Sequence, residues 1–350
     1  MNRKDFIKLL GVASSAMVLP QFTHVNFKSG DPQIQIFDLH SHPGIFFTKG
    51  EDRFPGNQVV EKTVNDMNNS GVVGAFFSLV ADTPLLIRTD KGITYERTFQ
   101  KGEAWAEFKR QVKVFKEFMN SLETRFATKS SELNGNGNVA AYMACEGGDF
   151  IEEIDMLDEA YDDGLRSVQI VHYVPNHLGD LQTAEPLNNG LSKMGKDVVR
   201  RMNKLGMVID VAHASEKTVQ DVVETSDSPI ILSHSILKME EDRPIAARAI
   251  TENHAKLIAA NGGVIGMWPS GFSKSFDEFV NSTLRMVEVV GIDHVGMGTD
   301  MDANYKPVIN NYSQLPDWVN ALKEKGMSEE EVEKIAWKNA ERVLKQVLKS

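Results

Sequence analysis

The chain has a single cysteine, Cys145, among 350 residues. That excludes an internal disulfide and any cysteine-based zinc ribbon, so a bound metal would have to rest mainly on His, Asp and Glu. The sequence also lacks an excess of positive charge. Lys plus Arg total 38 against 49 Asp plus Glu, a formal charge of -11. An acidic chain is a poor electrostatic match for nucleic acid or for an anionic membrane surface. No apolar run reaches the ~20 residues that span a bilayer as a helix. What is present is ordinary for a globular protein. With 41% hydrophobic and 25% charged residues, a disordered or fibrous chain is excluded. The length suits one large domain or two small ones.

Residues 1–20 differ from the rest. The basic pair Arg3-Lys4 precedes Phe6-Ile7-Lys8, and a short apolar run from Leu9 to Leu19 ends at Pro20. A charged stretch followed by a short apolar one is the pattern of an export signal. The order resembles a twin-arginine signal with Lys as the second basic residue, which implies export, to the periplasm in a bacterium. A frayed N-terminal helix is the plainer reading. No Cys follows the run, so a lipoprotein anchor is not expected. Residues 21–32 read as a polar linker and 33–350 as the working domain.

From there, short apolar runs alternate with helical patterns. The runs are Ile34–Asp38, Val72–Val80, Val139–Cys145, Ser167–His172, Val208–His213, Ile230–His234, Gly263–Trp268 and His294–Asp300. Near-continuous apolarity is how parallel strands read when helices cover them. Helical patterns end before Gly71, Gly164 and Gly206, and Ser328 with Glu331 has capping-box spacing. Eight strand–helix alternations predict an α/β fold of the (β/α)8 TIM-barrel type; a doubly wound open sheet is the rival. A long segment separates the second and third strands. In it Trp105, Phe108, Val112, Phe115, Met119, Leu122 and Phe126 recur at spacings of three and four, predicting one long helix inserted there and packed on the barrel.

Polar residues collect at the strand ends. His40 and His42 close the first strand, Glu146 the third, His172 the fourth, His213 the fifth, His234 the sixth and Asp300 the eighth. In such barrels the C-terminal strand ends form the active face. Side chains alternate along a strand, so His40 and His42 point the same way and two imidazoles can meet one ion. Asp38 shares that face and is expected to hold an imidazole from below. Glu146, followed by Gly147-Gly148, can bridge two cations, and Asp300 can bind metal and accept a proton from a metal-activated water. Asp302 is a weaker candidate on the same strand. Singly, each of these is as well read as a hydrogen-bonded structural residue; together they are specific. His24, His177, His254 and His294 are read as non-ligands, and Cys145 as a buried thiol pointing away from Glu146.

Asp38-Leu39-His40-Ser41-His42-Pro43, Glu146-Gly147-Gly148, Ile209-Asp210-Val211-Ala212-His213, Leu232-Ser233-His234-Ser235, Arg248-Ala249-Ile250-Thr251-Glu252 and Gly298-Thr299-Asp300-Met301-Asp302 occur in one order. Together they resemble the membrane dipeptidase (renal dipeptidase) family of binuclear zinc peptidases, within the amidohydrolase-like barrels. The resemblance implies that His40 and residue 42 bind a first metal, His213 and His234 a second, and that Glu146 bridges both. It implies that Asp300 binds the first metal and takes the proton. His172 would face the substrate carbonyl, and Arg248, with Arg243 as a local rival, would grip the free carboxylate of the peptide. The cofactors implied are two divalent metal ions, expected to be zinc, although such ligands also suit Mn, Co or Fe. The partner implied is a dipeptide, with homodimerisation left open. Three positions depart from the family pattern: His42 stands where Asp is usual, Asp149 where His is usual, and Ala303 where Gly is usual. His42 removes one negative charge from the site.

The activity implied is hydrolysis of a dipeptide amide bond by a hydroxide shared between two metal ions. Another amidohydrolase-type reaction (deacylation of N-acyl amino acids, lactone opening, phosphoester cleavage) is the first alternative. No Lys replaces Glu146 at a strand end, which favours the dipeptidase branch. A non-catalytic metal- or peptide-binding homologue is the second alternative.

Overall fold

The apolar runs become strands, and a computed structural model describes them within residues 34–349, apart from 90, 91, 134, 136 and 242. The export signal, the linker and His24 lie outside the described residues. In chain order the strands are β1 (Ile36–Ser41), β2 (Val72–Val80), β3 (Leu86–Thr89), β4 (Gly92–Tyr95), β5 (Arg125–Ala127), β6 (Ala140–Glu146), β7 (Ser167–Gln169), β8 (Val208–Asp210), β9 (Ile231–Ser235), β10 (Val264–Met267) and β11 (Val295–Met297). Parallel pairing runs β1–β2–β6–β7–β8–β9–β10–β11 and returns to β1. Eight strands thus close into the expected barrel, with helices outside it. No helix among the described residues is long and apolar enough to cross a membrane.

The strands are shorter at their C-terminal ends than the apolar runs suggest. β7 stops at Gln169, β8 at Asp210 and β11 at Met297, so His172, His213 and Asp300 stand on the loops just beyond. His213 has φ 65° and Asp300 φ 54°, left-handed conformations that no strand continues through. The chain turns over the barrel mouth at these points and carries the polar side chains with it.

The insertion after β2 differs more. Its helix spans Glu103–Met119 and buries Phe108, Val112 and Phe115, as the stripe predicts. It ends there because the Ser121 hydroxyl bonds back to the Phe118 carbonyl, an offer that competes with helix continuation. Leu122 falls in the following turn and Phe126 on β5, beside β6. The segment also holds the antiparallel hairpin β3–β4, which the sequence reading missed. Asp90-Lys91-Gly92 between two runs rich in β-branched residues was its signal.

Two packing features position the mouth. Phe37, Leu39, Tyr142, Val208, Ile231 and Val264 cluster with Val343, Leu344 and Val347 of the last helix, Asn339–Val347. Val208, Ile231 and Val264 begin or nearly begin their strands, so this helix closes the bottom of the barrel and leaves the top for chemistry. The capping box expected at Ser328 and Glu331 opens the helical segment that leads to it. Near the top, Gly266 and Gly298 let β9 come close: a Cβ at either would lie 1.8 Å from the Ser233 carbonyl oxygen.

Candidate metal centre

Six side chains from five barrel strands and the loops beyond them meet at the mouth. Glu146, at the end of β6, stands among them. Its Oε1 lies 3.3 Å from His213 Nε2, 3.4 Å from His172 Nε2, 3.6 Å from His40 Nε2 and 3.8 Å from His234 Nε2. Its Oε2 lies 3.5 Å from His42 Nε2. Asp300 Oδ1 lies 3.3 Å from His42 Nε2 and 4.0 Å from His40 Nε2. The ring nitrogens also face one another: His40 Nε2 and His42 Nε2 are 3.0 Å apart, His213 Nε2 and His234 Nε2 3.2 Å. Every ligand expected from the sequence is therefore brought together, with His172 as a close neighbour. Three overlapping groups have the spacing of metal sites: His40–His42–Asp300, His40–Glu146–His234 and Glu146–His172–His213.

The donor chemistry fits divalent cations. Ligands held ~2.0–2.1 Å from a tetrahedral zinc ion sit roughly 3.3 Å from one another, which is the spacing found here. The His42 Nδ1–H donates to the Ser78 carbonyl at 2.9 Å; a carbonyl only accepts, so a neutral His42 has a bare Nε2. A bare lone pair aimed at a second imidazole nitrogen 3.0 Å away needs a proton or a cation between them. Without the cation, His42 takes the proton. Burial opposes its charge, but bonds to Asp300 and Glu146 and their charges outweigh this and push it up to about 10. Burial pushes His213 and His234 well below the usual imidazole value, which keeps them neutral and fit to ligate. Burial works to raise Glu146, yet the charges of His172 and His40 and the bond from His213 hold it well below the carboxylate range.

The surrounding contacts correct one expectation. Asp38 does not hold an imidazole. A bulge in β1 between Asp38 and Ser41 breaks the alternation, and the Asp38 carboxylate accepts instead from Thr299 Oγ1 (2.6 Å), Tyr312 OH (2.7 Å), Thr299 N–H (2.9 Å) and His40 N–H (3.1 Å). It ties β1 to the loop that carries Asp300. Asp302 stays out of the cage, accepting from Gly44 N–H and Thr63 Oγ1. Arg248 is buried against the site, its Nη2 3.4 Å from His234 Nε2, its Nη1 donating to Gln182 Oε1 at 2.5 Å, its guanidinium over the Trp268 ring. Arg243, the rival, is ion-paired with Glu278 and Glu241.

Sequence reasoning missed Asp82, Gln169 and Gln182. Fully buried Asp82 accepts from His172 Nδ1–H at 2.6 Å and from the Tyr173 and Val174 N–H groups at 3.1 and 3.0 Å. Gln169 Nε2 donates to Glu146 Oε1 at 3.3 Å. Asp82 was findable, since it follows β2 directly, at the same mouth as the other strand ends. Asp149 is buried near Asp82; burial first, then the Asp82 charge, pushes its carboxyl up to about 8.

The remaining described histidines lie outside the cage, as expected. His177 Nε2 bonds the Ile151 carbonyl and His294 Nδ1 the Gly263 carbonyl. Cys145 is buried, its thiol on the Gly147 carbonyl. His254, on the helix Glu252–Ala260, is buried with Nε2 unpartnered among the described residues. Burial holds it down at about 4, with Glu216 opposing and Arg248 adding. The fold favours the neutral ring, so this stability is intact above the unfolded value of ~6.5 and is lost as pH falls from there toward about 4. Urea unfolding at about pH 4.5 should show about 2–3 kcal/mol less stability from this group than at about pH 7.5. His254→Leu should remove that share of the pH dependence; an unchanged pH slope in the variant would contradict the assignment.

Residues 32–350 match the profile of the membrane dipeptidase family, peptidase family M19. Dipeptidase tcpJ of Claviceps purpurea (strain 20.1) is 32% identical over 194 residues, 53% of this chain and 45% of that protein. An uncharacterized dipeptidase of Schizosaccharomyces pombe is 25% identical over 343 residues, 92% of this chain and 81% of that one. Among solved structures, a metallo peptidase from Rhodobacter sphaeroides, liganded with a phosphinate mimic of the dipeptide L-Ala-D-Ala, superposes with a TM-score of 0.74 at 21% identity. The superposition covers 90% of this chain and 100% of that one, and at such identity it speaks for the shared barrel. With the family profile matched from residue 32 onward over the barrel and every strand-end residue of the cage, the chain belongs to the membrane dipeptidase family.

Proposed function

We propose that the chain is a metal-dependent dipeptidase that hydrolyses the amide bond of dipeptides with two divalent ions, expected to be zinc. The observation that carries this reading is Glu146, whose two oxygens each lie within 3.6 Å of the imidazoles of one half of the cage or the other. In this reading His40, His42 and Asp300 would hold one ion and His213 and His234 the other, with Glu146 serving both. Bound there, the pair would supply Lewis acidity and a water acidic enough to serve as hydroxide near neutral pH.

The chain's own residues do the rest. Asp300 takes the proton of the attacking water and returns it to the leaving amine. His172, held by Asp82, presents Nε2 to the oxygen that gains charge. Arg248 binds the free carboxylate of the substrate in a bidentate contact, pre-oriented by Gln182 and Trp268. The Arg3-Lys4 stretch and the apolar run to Leu19 support export through a twin-arginine-like signal, which cell fractionation tests.

Metal analysis coupled to a substrate panel tests the main reading. The panel holds dipeptides, including D-residues at the second position, with N-acyl amino acids, lactones and phosphoesters. Turnover of dipeptides that a chelator abolishes and added metal restores is the expected result. Two ions bound with no amide cleaved would favour a binding protein, and preference for another ester or amide class would favour the alternative chemistry. Arg248→Met should lower kcat/KM for free dipeptides by roughly 30–150-fold, the worth of about 2–3 kcal/mol at a buried charge contact. It should barely change the rate on C-terminally amidated ones. Equal losses on both would remove Arg248 from substrate recognition.

A further inference from the structure

His40 on β1 and His234 on β9 share one hydroxyl. Ser233 Oγ lies 3.3 Å from His40 Nδ1 and 3.0 Å from His234 Nδ1. We infer that Ser233 is a positioning residue that fixes the tautomer of one imidazole in each half of the metal centre, so that a single hydroxyl prepares both halves to bind. The inference builds on the proposed two-ion reading.

A serine hydroxyl has one proton and two lone pairs. If Ser233 donated to either Nδ1, that ring would carry its proton on Nε2 and lose its ligand atom. Both rings present a bare Nε2 only when both Nδ1–H groups donate to Ser233 and the hydroxyl proton goes elsewhere. Asp210 provides the place. Its carboxylate interacts with the Ser233 side chain, and it also accepts from Ser233 N–H at 3.0 Å and Ala212 N–H at 2.9 Å. The serine itself is fully buried. Its backbone is held by the close approach of Gly266 and Gly298, so its oxygen has little freedom to move off the two rings.

The other rings are served separately. The Ser78 carbonyl orients His42 and Asp82 orients His172, while His213 Nδ1 has no protein partner among the described residues. Loss of the Ser233 hydroxyl should therefore act on His40 and His234 alone, one in each half. Second-layer partners of metal-binding histidines typically matter by ~10–100-fold in affinity.

The test is a cobalt(II) titration of the metal-free full chain, followed by visible absorption and equilibrium dialysis. The parent should bind two ions. Ser233→Ala should bind both about 10–100-fold more weakly, while its metal-free form melts within about 5 °C of the metal-free parent. Ser233→Thr, which keeps the hydroxyl, should bind as the parent does. Ser233→Cys, of similar bulk but a weak acceptor, should weaken both sites and replaces the alanine variant if that one does not fold. Unchanged binding, or a loss confined to one ion, overturns the role of Ser233 and leaves the two-ion reading standing. A parent that binds fewer than two ions overturns both.

Discussion

Asp300→Asn should lower kcat on a dipeptide by about 10²–10⁴-fold, the usual worth of a general acid–base group. It should do so in a protein that is folded and still takes up metal. The substitution removes the carboxylate's basicity and charge while asparagine preserves its shape. Asp300 sits at φ 54°, a left-handed conformation that Asn adopts more readily than most residues, so the backbone is not strained further. The amide oxygen can stay where Oδ1 is, 3.3 Å from His42 Nε2, and remain a ligand. The Thr299–Asp38 bonds that hold the loop do not involve the Asp300 side chain. What is lost is a basic oxygen able to take a proton and a negative charge beside the cage. Kinetics with metal content measured on the same sample decide it. Retained turnover at full metal content would take Asp300 out of the chemistry and leave it a ligand only.

The barrel was legible because its signals are local. Continuous apolar runs such as Val72–Val80 belong to strands buried on both faces, and that burial does not depend on which strand lies next door. The ligand set was legible for a related reason. A (β/α)8 barrel places all eight C-terminal strand ends on one face, so knowing that Glu146 and His234 close their strands is nearly knowing that they meet. That Glu146 would face both His pairs was implied by the family resemblance, and the distances place its oxygens beside both.

What escaped depended on details that periodicity does not carry. Asp38 looked like a partner for His40 by strict alternation, and a single bulge turned it toward Thr299 and Tyr312. The helical stripe from Trp105 to Phe126 ran on past the true end at Met119 because spacing reports a face, while the stop is set by a side chain bonding its own backbone. Asp82 acts on a loop 90 residues away in sequence, and Gln169 on the residue beside it in the neighbouring strand, 23 residues away. Each is an unremarkable polar residue until the partner strand is in place.

Asp82 therefore carries the second large prediction. Asp82→Asn should lower kcat by about 10²–10³-fold, the range seen when one donor to a developing oxyanion is lost. The buried site dictates how the new side chain sits. Two backbone N–H groups, of Tyr173 and Val174, face one carboxylate oxygen, so the asparagine oxygen must turn toward them. Its NH2 then faces His172 Nδ1, where the carboxylate accepted a hydrogen bond at 2.6 Å. A donor there forces Nδ1 to accept, and the imidazole can no longer carry protons on both nitrogens. In the parent, burial works against a charged His172, but the charges of Asp82 and Glu146 prevail and raise its pKa. The variant should hold a neutral ring that offers the substrate oxygen a weaker, uncharged donor. KM should move little, because the substrate carboxylate is held by Arg248 and not by this pair. A structural role would lower kcat as well, so the deciding measurement is a double-mutant cycle with His172→Ala. If Asp82 acts through His172, adding Asp82→Asn to His172→Ala costs almost nothing further. Losses that multiply in the double variant would mean that Asp82 supports the site by some route other than the imidazole it touches.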